Sequence, residues 1–156
     1  MDVSQITEYL FVAAHPQPDD AGAIRNLGVR LVISMVAFRR PPAEFDKPPL
    51  RLLWLKTFDS VFFPIPLRTL QRGVEEALPI IREGYGVLVF CMYGRHRSVA
   101  MAAAILIGLG HPAEEAMRML IQARAVADPR APHIRRQVVR FERHWQRTHP
   151  DIPQKG

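Results

Sequence analysis

Short apolar runs alternate with longer segments of helical periodicity along this chain. Four runs of four to six strand-forming residues lie at positions 9–13, 30–35, 50–55 and 87–90, and such runs are typical of buried β-strands. Apolar positions favour helices over residues 67–83, 98–109, 112–125 and 133–149, with a shorter helix capped by Asp19 or Asp20 and ending at Leu27. Strands that alternate with helices indicate an α/β fold, with a central, mostly parallel sheet flanked by helices.

Prolines and glycines separate these predicted elements. Residues 37–49 carry four prolines and several basic residues, so we predict an exposed loop there. Pro79 lies within the helix predicted over 67–83 and is expected to kink its last turn. No internal repeat, low-complexity tract or long linker divides the sequence. We therefore predict a single catalytic domain over residues 1–156.

Composition places the chain among ordinary globular proteins. Apolar residues make up 48% and charged residues 23% of its 156 positions, which is long enough to bury a sizeable core. No apolar run reaches the roughly 18 residues that span a bilayer, and residues 1–5 show no signal-peptide pattern. The single cysteine cannot form an internal disulfide, which favours a reducing, cytoplasmic setting.

The charge balance narrows the choice of partners. A formal net charge of +6 favours polyanionic partners such as phosphorylated substrates or acidic membrane surfaces. Eighteen of the 21 basic residues are arginine, so genome composition or heat adaptation explains the excess equally well. Nucleic acid is not expected as a partner, and we expect a monomer.

One stretch concentrates the candidate chemistry: Cys91-Met92-Tyr93-Gly94-Arg95-His96-Arg97-Ser98. It follows the apolar run 87–90 and precedes small helix formers, which indicates a strand, a tight loop and a helix start. Such a loop turns backbone N–H groups inward, and the helix adds its positive N-terminus, so residues 92–97 form a candidate anion site. A thiol beside these donors and an arginine ionises more easily, which makes Cys91 a candidate nucleophile.

Three other residues of this loop suit the same chemistry. The planar guanidinium of Arg97 can hold two phosphate oxygens at once. Gly94 lets the backbone approach a ligand closely. The hydroxyl of Ser98 could donate to the sulfur of Cys91 and make it a better leaving group. These residues predict phosphate-ester chemistry at Cys91.

The loop resembles the Cys-x5-Arg-Ser/Thr loop of the protein tyrosine phosphatase superfamily, including the internal glycine at Gly94. The size and short first strand are similar to the small, atypical dual-specificity branch. The resemblance extends in element order from Ile6 to Trp145, although only the loop is a specific motif. It implies the cysteine-phosphatase fold and phosphoprotein or small phosphomonoester substrates, and the reaction needs no cofactor.

The resemblance also implies a mechanism. Cys91 would attack phosphorus to form a cysteinyl-phosphate, and a phosphate or sulfate ion should bind in the loop. Arg97 would stabilise the transferred group together with the loop residues Met92, Tyr93, Gly94, Arg95 and His96. Members of this branch place a general acid some thirty residues before the cysteine, which indicates Asp59 rather than Asp46 or Asp128.

Two departures from the family pattern affect these expectations. Phe90 stands where a histidine is usual, which predicts weaker activity or a higher pH optimum. Arg95 and His96 make the loop interior basic and bulky, as in branch members that act on phosphoinositides or phosphatidylglycerol phosphate; bracing of neighbouring loops is the equal alternative. His133 and Gln137 fall where family members often place polar residues near the site.

Other functions are weighed against the leading hypothesis of a phosphoprotein phosphatase. A phospholipid phosphatase and a catalytically weak phosphate-binding pseudophosphatase are the main alternatives. A rhodanese-like sulfurtransferase is disfavoured because its shorter loop would place an arginine at His96. No metal site is predicted, since the six histidines are scattered along the sequence and each is interpreted as a surface or capping residue.

Overall fold

The computed structural model describes residues 1–150. Five strands and five helices follow the predicted alternation after an initial strand pair. The strands are β1 (Val3–Thr7), β2 (Leu10–Ala13), β3 (Val29–Val36), β4 (Arg51–Thr57) and β5 (Gly86–Phe90). The helices are α1 (Ala21–Asn26), α2 (Leu67–Arg82), α3 (Arg97–Gly108), α4 (Ala113–Ala123) and α5 (Pro132–Thr148).

The strands form one mixed sheet in the order β1-β2-β5-β3-β4. β5 pairs in parallel with β2 and β3, β4 pairs in parallel with β3, and only β1 runs antiparallel to its neighbour. The register sets Ala13 and Ser34 beside Phe90, and Val36 beside Thr57. The carboxyl ends of the four parallel strands therefore meet at one edge, where ligands bind in open α/β sheets. The predicted fold class is confirmed.

Helix α3 is the buried centre of the helical layer. All twelve of its residues are buried, and it contacts β2, β3 and β5 as well as α2, α4 and α5. Its alanines, and glycines at the α2–α3 contact, permit this close approach. A Cβ atom on Gly108 would stand 2.7 Å from Val74 Cγ1. This buried helix fixes the segment that follows Cys91.

The structure departs from the predicted elements mainly at the start of the chain. β1 is half-buried at the sheet edge, and its mixed polar sequence gave no strand signal. The short helix expected after Asp19 or Asp20 is present as α1, with Asp20 at its N-cap position and Leu27 at its C-cap position, but no side-chain hydrogen bond caps its start, and a 3-10 turn (Pro18–Asp20) precedes it. A second 3-10 turn (Ala43–Asp46) lies within the proline-rich loop. Among residues 1–150, no helix is both long and apolar enough to span a membrane.

Candidate active site

The Cys91–Ser98 segment connects the central strand β5 to the buried helix α3, as the sequence predicts. Cys91 directly follows β5 and is 3% exposed, while Arg97 and Ser98 are the first two residues of α3. The loop therefore lies at the edge where the parallel strands end. The first turn of α3 directs its free N–H groups and its positive dipole end toward the thiol.

Hydrogen bonds to its sulfur favour the ionised form of Cys91. The sulfur lies 3.1 Å from the hydroxyl oxygen of Ser98. Burial alone would raise the pKa of the thiol. The Ser98 hydroxyl, the backbone N–H groups of Ser98 and Arg95, and the charge of Arg97 outweigh burial and hold the pKa of Cys91 below its ordinary value. The pKa of Cys91 is therefore lowered even though Phe90, rather than the usual histidine, precedes the cysteine.

Arg97 is fixed by the ends of two neighbouring strands. Its guanidinium donates to the carbonyl oxygens of Met35 at 3.1 Å and Thr57 at 2.9 Å. The side chain is buried, and its Nε has no hydrogen-bond partner within the described part of the chain. One terminal nitrogen of the guanidinium is thus anchored to the ends of β3 and β4. The Nε–H donor is left for an anion.

A second buried arginine, Arg124, supports the loop through hydrogen bonds to its backbone. No pattern in the sequence indicated this residue. Its guanidinium donates to the carbonyl oxygens of Gly94 at 2.7 Å and Tyr93 at 3.0 Å. It also donates to both carboxylate oxygens of Asp2 at 3.0 Å and to the Ser4 hydroxyl at 3.1 Å. Because these bonds hold two loop carbonyls outward, the adjacent N–H groups are free to face the opposite side.

Gly94 is required where the loop meets Arg124. Its φ of +64° belongs to the left-handed region that disfavours other residues. A Cβ there would stand 2.6 Å from Arg124 Nη2 and 2.9 Å from the carbonyl oxygen of Ala13. The internal glycine of the motif is therefore needed for both conformation and space.

Asp59 lies on the loop after β4 and contacts two histidines. One carboxylate oxygen is 2.9 Å from His96 Nδ1, and the other is 3.3 Å from His133 Nε2. Burial acts to raise the pKa of Asp59, but the hydrogen bonds with His96 and His133, together with the charges of His96 and Arg97, lower it. Asp59 thus reaches the last residue of the cysteine loop before α3.

The remaining predicted loop residues have different environments. Tyr93 projects into solvent with 73% of its surface exposed, while Met92 is half-buried. Arg95 lies 3.7 Å from the carboxylate of Asp128. Gln137 is buried on α5, and its Oε1 has no partner in the described structure. Tyr93 and Arg95 therefore direct their side chains away from the buried thiol, so they can contribute to an anion site only through their backbone.

His15 is a site neighbour that the sequence did not indicate. Its backbone N–H donates to the carbonyl of Met92 at 3.2 Å, and its ring meets the edge of Phe90 with 5.0 Å between centroids. Burial and the charge of Arg39 lower the pKa of His15, although its hydrogen bond with the Pro16 carbonyl opposes them. His15 thus packs a largely neutral ring beside Phe90, just before the cysteine.

The comparisons with known proteins agree with this geometry. No protein-family model and no curated protein matches the chain. Among solved structures, a mouse putative dual specificity phosphatase complexed with zinc tungstate is 24% identical, with a TM-score of 0.83 over 94% of this chain and 89% of that one. Human DUSP28 is 24% identical, with a TM-score of 0.82 over 93% and 99%. PTPMT1 is 25% identical, with a TM-score of 0.83 over 95% and 98%.

The chain has the cysteine-phosphatase fold. Its structural neighbours are small atypical dual-specificity phosphatases of the protein tyrosine phosphatase superfamily, as the resemblance of the loop predicted. The likeness covers 93–95% of the chain in these three structures.

Arg124→Gln should destabilise the protein. The substitution leaves the carbonyls of Tyr93 and Gly94 without their guanidinium donor, whereas Asp2 remains mostly exposed to solvent. We therefore expect the free energy of unfolding to fall by about 2 kcal/mol. Urea unfolding followed by circular dichroism measures this change. Arg130→Gln is the control, because Arg130 pairs with Glu114 in solvent, and its loss should cost less than about 1 kcal/mol. Equal effects of the two substitutions would contradict the supporting role of Arg124.

The ionisation of Cys91 should depend on Ser98. Alkylation by iodoacetamide requires the thiolate, so its rate rises as pH passes through the thiol pKa. In the native protein this inflection should lie at lower pH than in the urea-unfolded chain, and Ser98→Ala should move it to higher pH. Thr148→Ala, at the C-terminal end of α5, should leave it in place. An inflection that does not respond to Ser98→Ala would refute the hydrogen bond's role.

Proposed function

We propose that the protein is a cysteine-dependent phosphomonoesterase that forms a cysteinyl-phosphate intermediate, with phosphotyrosine or phosphoserine/threonine proteins as the leading substrate class. The observation that carries this proposal is the position of Cys91. Its sulfur lies 3.1 Å from the Ser98 hydroxyl at the N-terminus of α3, and the adjacent residue, Arg97, has its guanidinium anchored to the ends of β3 and β4. The likeness to dual-specificity phosphatases supports the same reaction class.

In the first step, the thiolate of Cys91 attacks phosphorus. An S–P bond forms as the P–O bond to the leaving group breaks. The loop N–H groups and the free Nε donor of Arg97 bind the equatorial oxygens, where negative charge develops. In the second step, water attacks phosphorus and Cys91 leaves as the thiolate, which the hydroxyl of Ser98 stabilises. Inorganic phosphate is released.

Asp59 is proposed as the proton donor of the first step and the base of the second. Its carboxyl group protonates the leaving oxygen and later accepts a proton from the attacking water. Cys91 must be ionised and Asp59 protonated for the first step. Because the pKa of each group is lowered, both required forms coexist best toward lower pH. The two lowered pKa values thus favour a lower pH optimum, whereas Phe90 alone predicts a higher one.

Hydrolysis of p-nitrophenyl phosphate and phenyl phosphate tests the proposal. Cys91→Ser should abolish turnover of both esters. Asp59→Asn should lower kcat by about 10²-fold or more on phenyl phosphate, and by less on p-nitrophenyl phosphate, whose better leaving group needs less protonation. Asp19→Asn is the control, since Asp19 is exposed on the 3-10 turn before α1.

Full turnover in Cys91→Ser would exclude the cysteinyl-phosphate mechanism. If the wild-type protein is stabilised by phosphate or tungstate but releases no inorganic phosphate, it is a phosphate-binding pseudophosphatase. An equal loss on the two esters in Asp59→Asn would remove Asp59 from the role of proton donor.

A second candidate, hydrolysis of an anionic phospholipid, is favoured by the surface around the site. Phe62 is 84% exposed, Phe63 and Val61 are each 64% exposed, and all three follow Asp59 on its loop. Arg136 and Arg140 of α5 line a groove of about 120 Å³ together with this loop. Exposed apolar side chains beside arginines suit an anionic lipid surface. PTPMT1, one of the structural neighbours, has been crystallised in complex with PI(5)P.

Replacement of both exposed phenylalanines separates lipid from soluble substrates. In Phe62→Ser/Phe63→Ser, hydrolysis of PI(5)P in phosphatidylcholine vesicles should fall by about tenfold, because less apolar area enters the bilayer. Turnover of p-nitrophenyl phosphate should be unchanged. If phosphopeptides are hydrolysed well and vesicles are not, proteins are the substrate class. An equal loss on vesicles and on the soluble ester would argue against a membrane role for this surface.

A further inference from the structure

Three potential metal-ligand atoms converge at the rim of the cysteine loop. They are a carboxylate oxygen of Asp59 and one ring nitrogen each of His96 and His133, and all lie within 4.8 Å of one another. Asp59 and His133 are 74 positions apart in sequence. The interpretation of the histidines as separate surface or capping residues therefore does not hold for His96 and His133.

The three side chains come from three different elements. Asp59 lies on the loop after β4, His96 ends the cysteine loop, and His133 lies in the first turn of α5. The two imidazole rings meet edge to face with 5.1 Å between centroids. The histidine side chains are 17% and 19% exposed and that of Asp59 is 37% exposed. The cluster is thus held by its surroundings and open to solvent on one side.

Two imidazoles and a carboxylate form a donor set that Zn²⁺ prefers. Zinc–ligand distances of about 2.0–2.2 Å in a tetrahedron place neighbouring ligand atoms roughly 3.3 Å apart. The observed separations are 2.9 Å from Asp59 Oδ2 to His96 Nδ1 and 3.3 Å from Asp59 Oδ1 to His133 Nε2. A bidentate or slightly rotated carboxylate would thus let all three side chains bind one ion, with a further position left for water.

The surroundings of His96 add a further feature of zinc sites. Its other ring nitrogen, Nε2, lies 3.5 Å from a carboxylate oxygen of Asp128 but has no hydrogen-bond partner within residues 1–150. Histidine ligands commonly hydrogen-bond a carboxylate through their second nitrogen, and a small shortening of this distance would provide such a bond. Arg95 near Asp128 and Arg97 near Asp59 oppose a cation. The two carboxylates offset these two guanidinium charges.

We propose that Asp59, His96 and His133 bind a zinc ion, and that this ion inhibits the phosphatase reaction. A carboxylate that coordinates zinc cannot carry the proton for the leaving group. The ion would also stand at the mouth of the cysteine loop. The inhibitory part of this inference rests on the proposed function, whereas zinc binding does not.

Isothermal titration of the full chain with ZnCl₂ tests the binding, since calorimetry requires no activity. We expect one zinc ion per chain. His133→Ala should weaken binding at least about tenfold, because it removes a ligand, and His133→Asn provides a second variant should the first fold poorly. His144→Ala on the same helix is the matched control, since His144 bonds Gln71 outside the cluster. Equal affinity of wild type and both His133 variants would overturn the site.

The thiolate of Cys91 is the competing ligand, and Cys91→Ser separates the two sites. Our proposal requires that Cys91→Ser retains zinc binding. Co²⁺ in place of zinc should give visible absorption without the near-ultraviolet charge-transfer band of a thiolate ligand. If Cys91→Ser loses the ion while His133→Ala keeps it, the metal sits on the cysteine and the proposal is wrong.

The inhibitory consequence has its own measurement. Micromolar zinc should lower the wild-type turnover of p-nitrophenyl phosphate, and EDTA should restore it. His133→Ala should need at least about tenfold more zinc for the same fractional loss. If the protein proves to have no hydrolytic activity, calorimetry still decides the binding. Zinc that binds at the cluster without any loss of turnover would refute the inhibition and retain the site.

Discussion

The hydrogen bonds from Arg124 to the backbone carbonyls of the cysteine loop are the interaction on which the site depends. Burying a guanidinium is costly unless its donors are satisfied. Here five hydrogen bonds satisfy it, two to loop carbonyls and three to side chains of the first residues of the chain. With the carbonyls of Tyr93 and Gly94 engaged on this side, the N–H groups beside them can serve an anion. The backbone donors of the site are therefore oriented before any ligand arrives.

The guanidinium of Arg97 is also fixed by hydrogen bonds to backbone carbonyls. It donates to the carbonyls of Met35 and Thr57 at the ends of β3 and β4, so the sheet itself holds it in place. The two arginines differ in what they leave free. Arg124 is bonded at Nε and at both terminal nitrogens, whereas Arg97 keeps Nε unpaired among residues 1–150. The two buried arginines thus differ in whether a donor remains available.

The sequence was sufficient for features that depend on neighbours along the chain. The buried strands, α3 and the strand-loop-helix around Cys91 were predicted because apolar runs and a local motif specify them. β1 was missed because an edge strand with polar residues has no clear period. Arg124 was missed because its partners lie 30 to 122 residues away. Likewise, the meeting of His96 and His133 depends on the packing of α5, which no local pattern encodes.

The ion pair between Asp2 and Arg124 joins the start of the chain to the loop around Cys91. Together with the bond from Arg124 to Ser4, it ties β1 and the residue before it to the cysteine loop. Among homologues, positions 2 and 124 should covary, with the acid and the arginine retained or lost together.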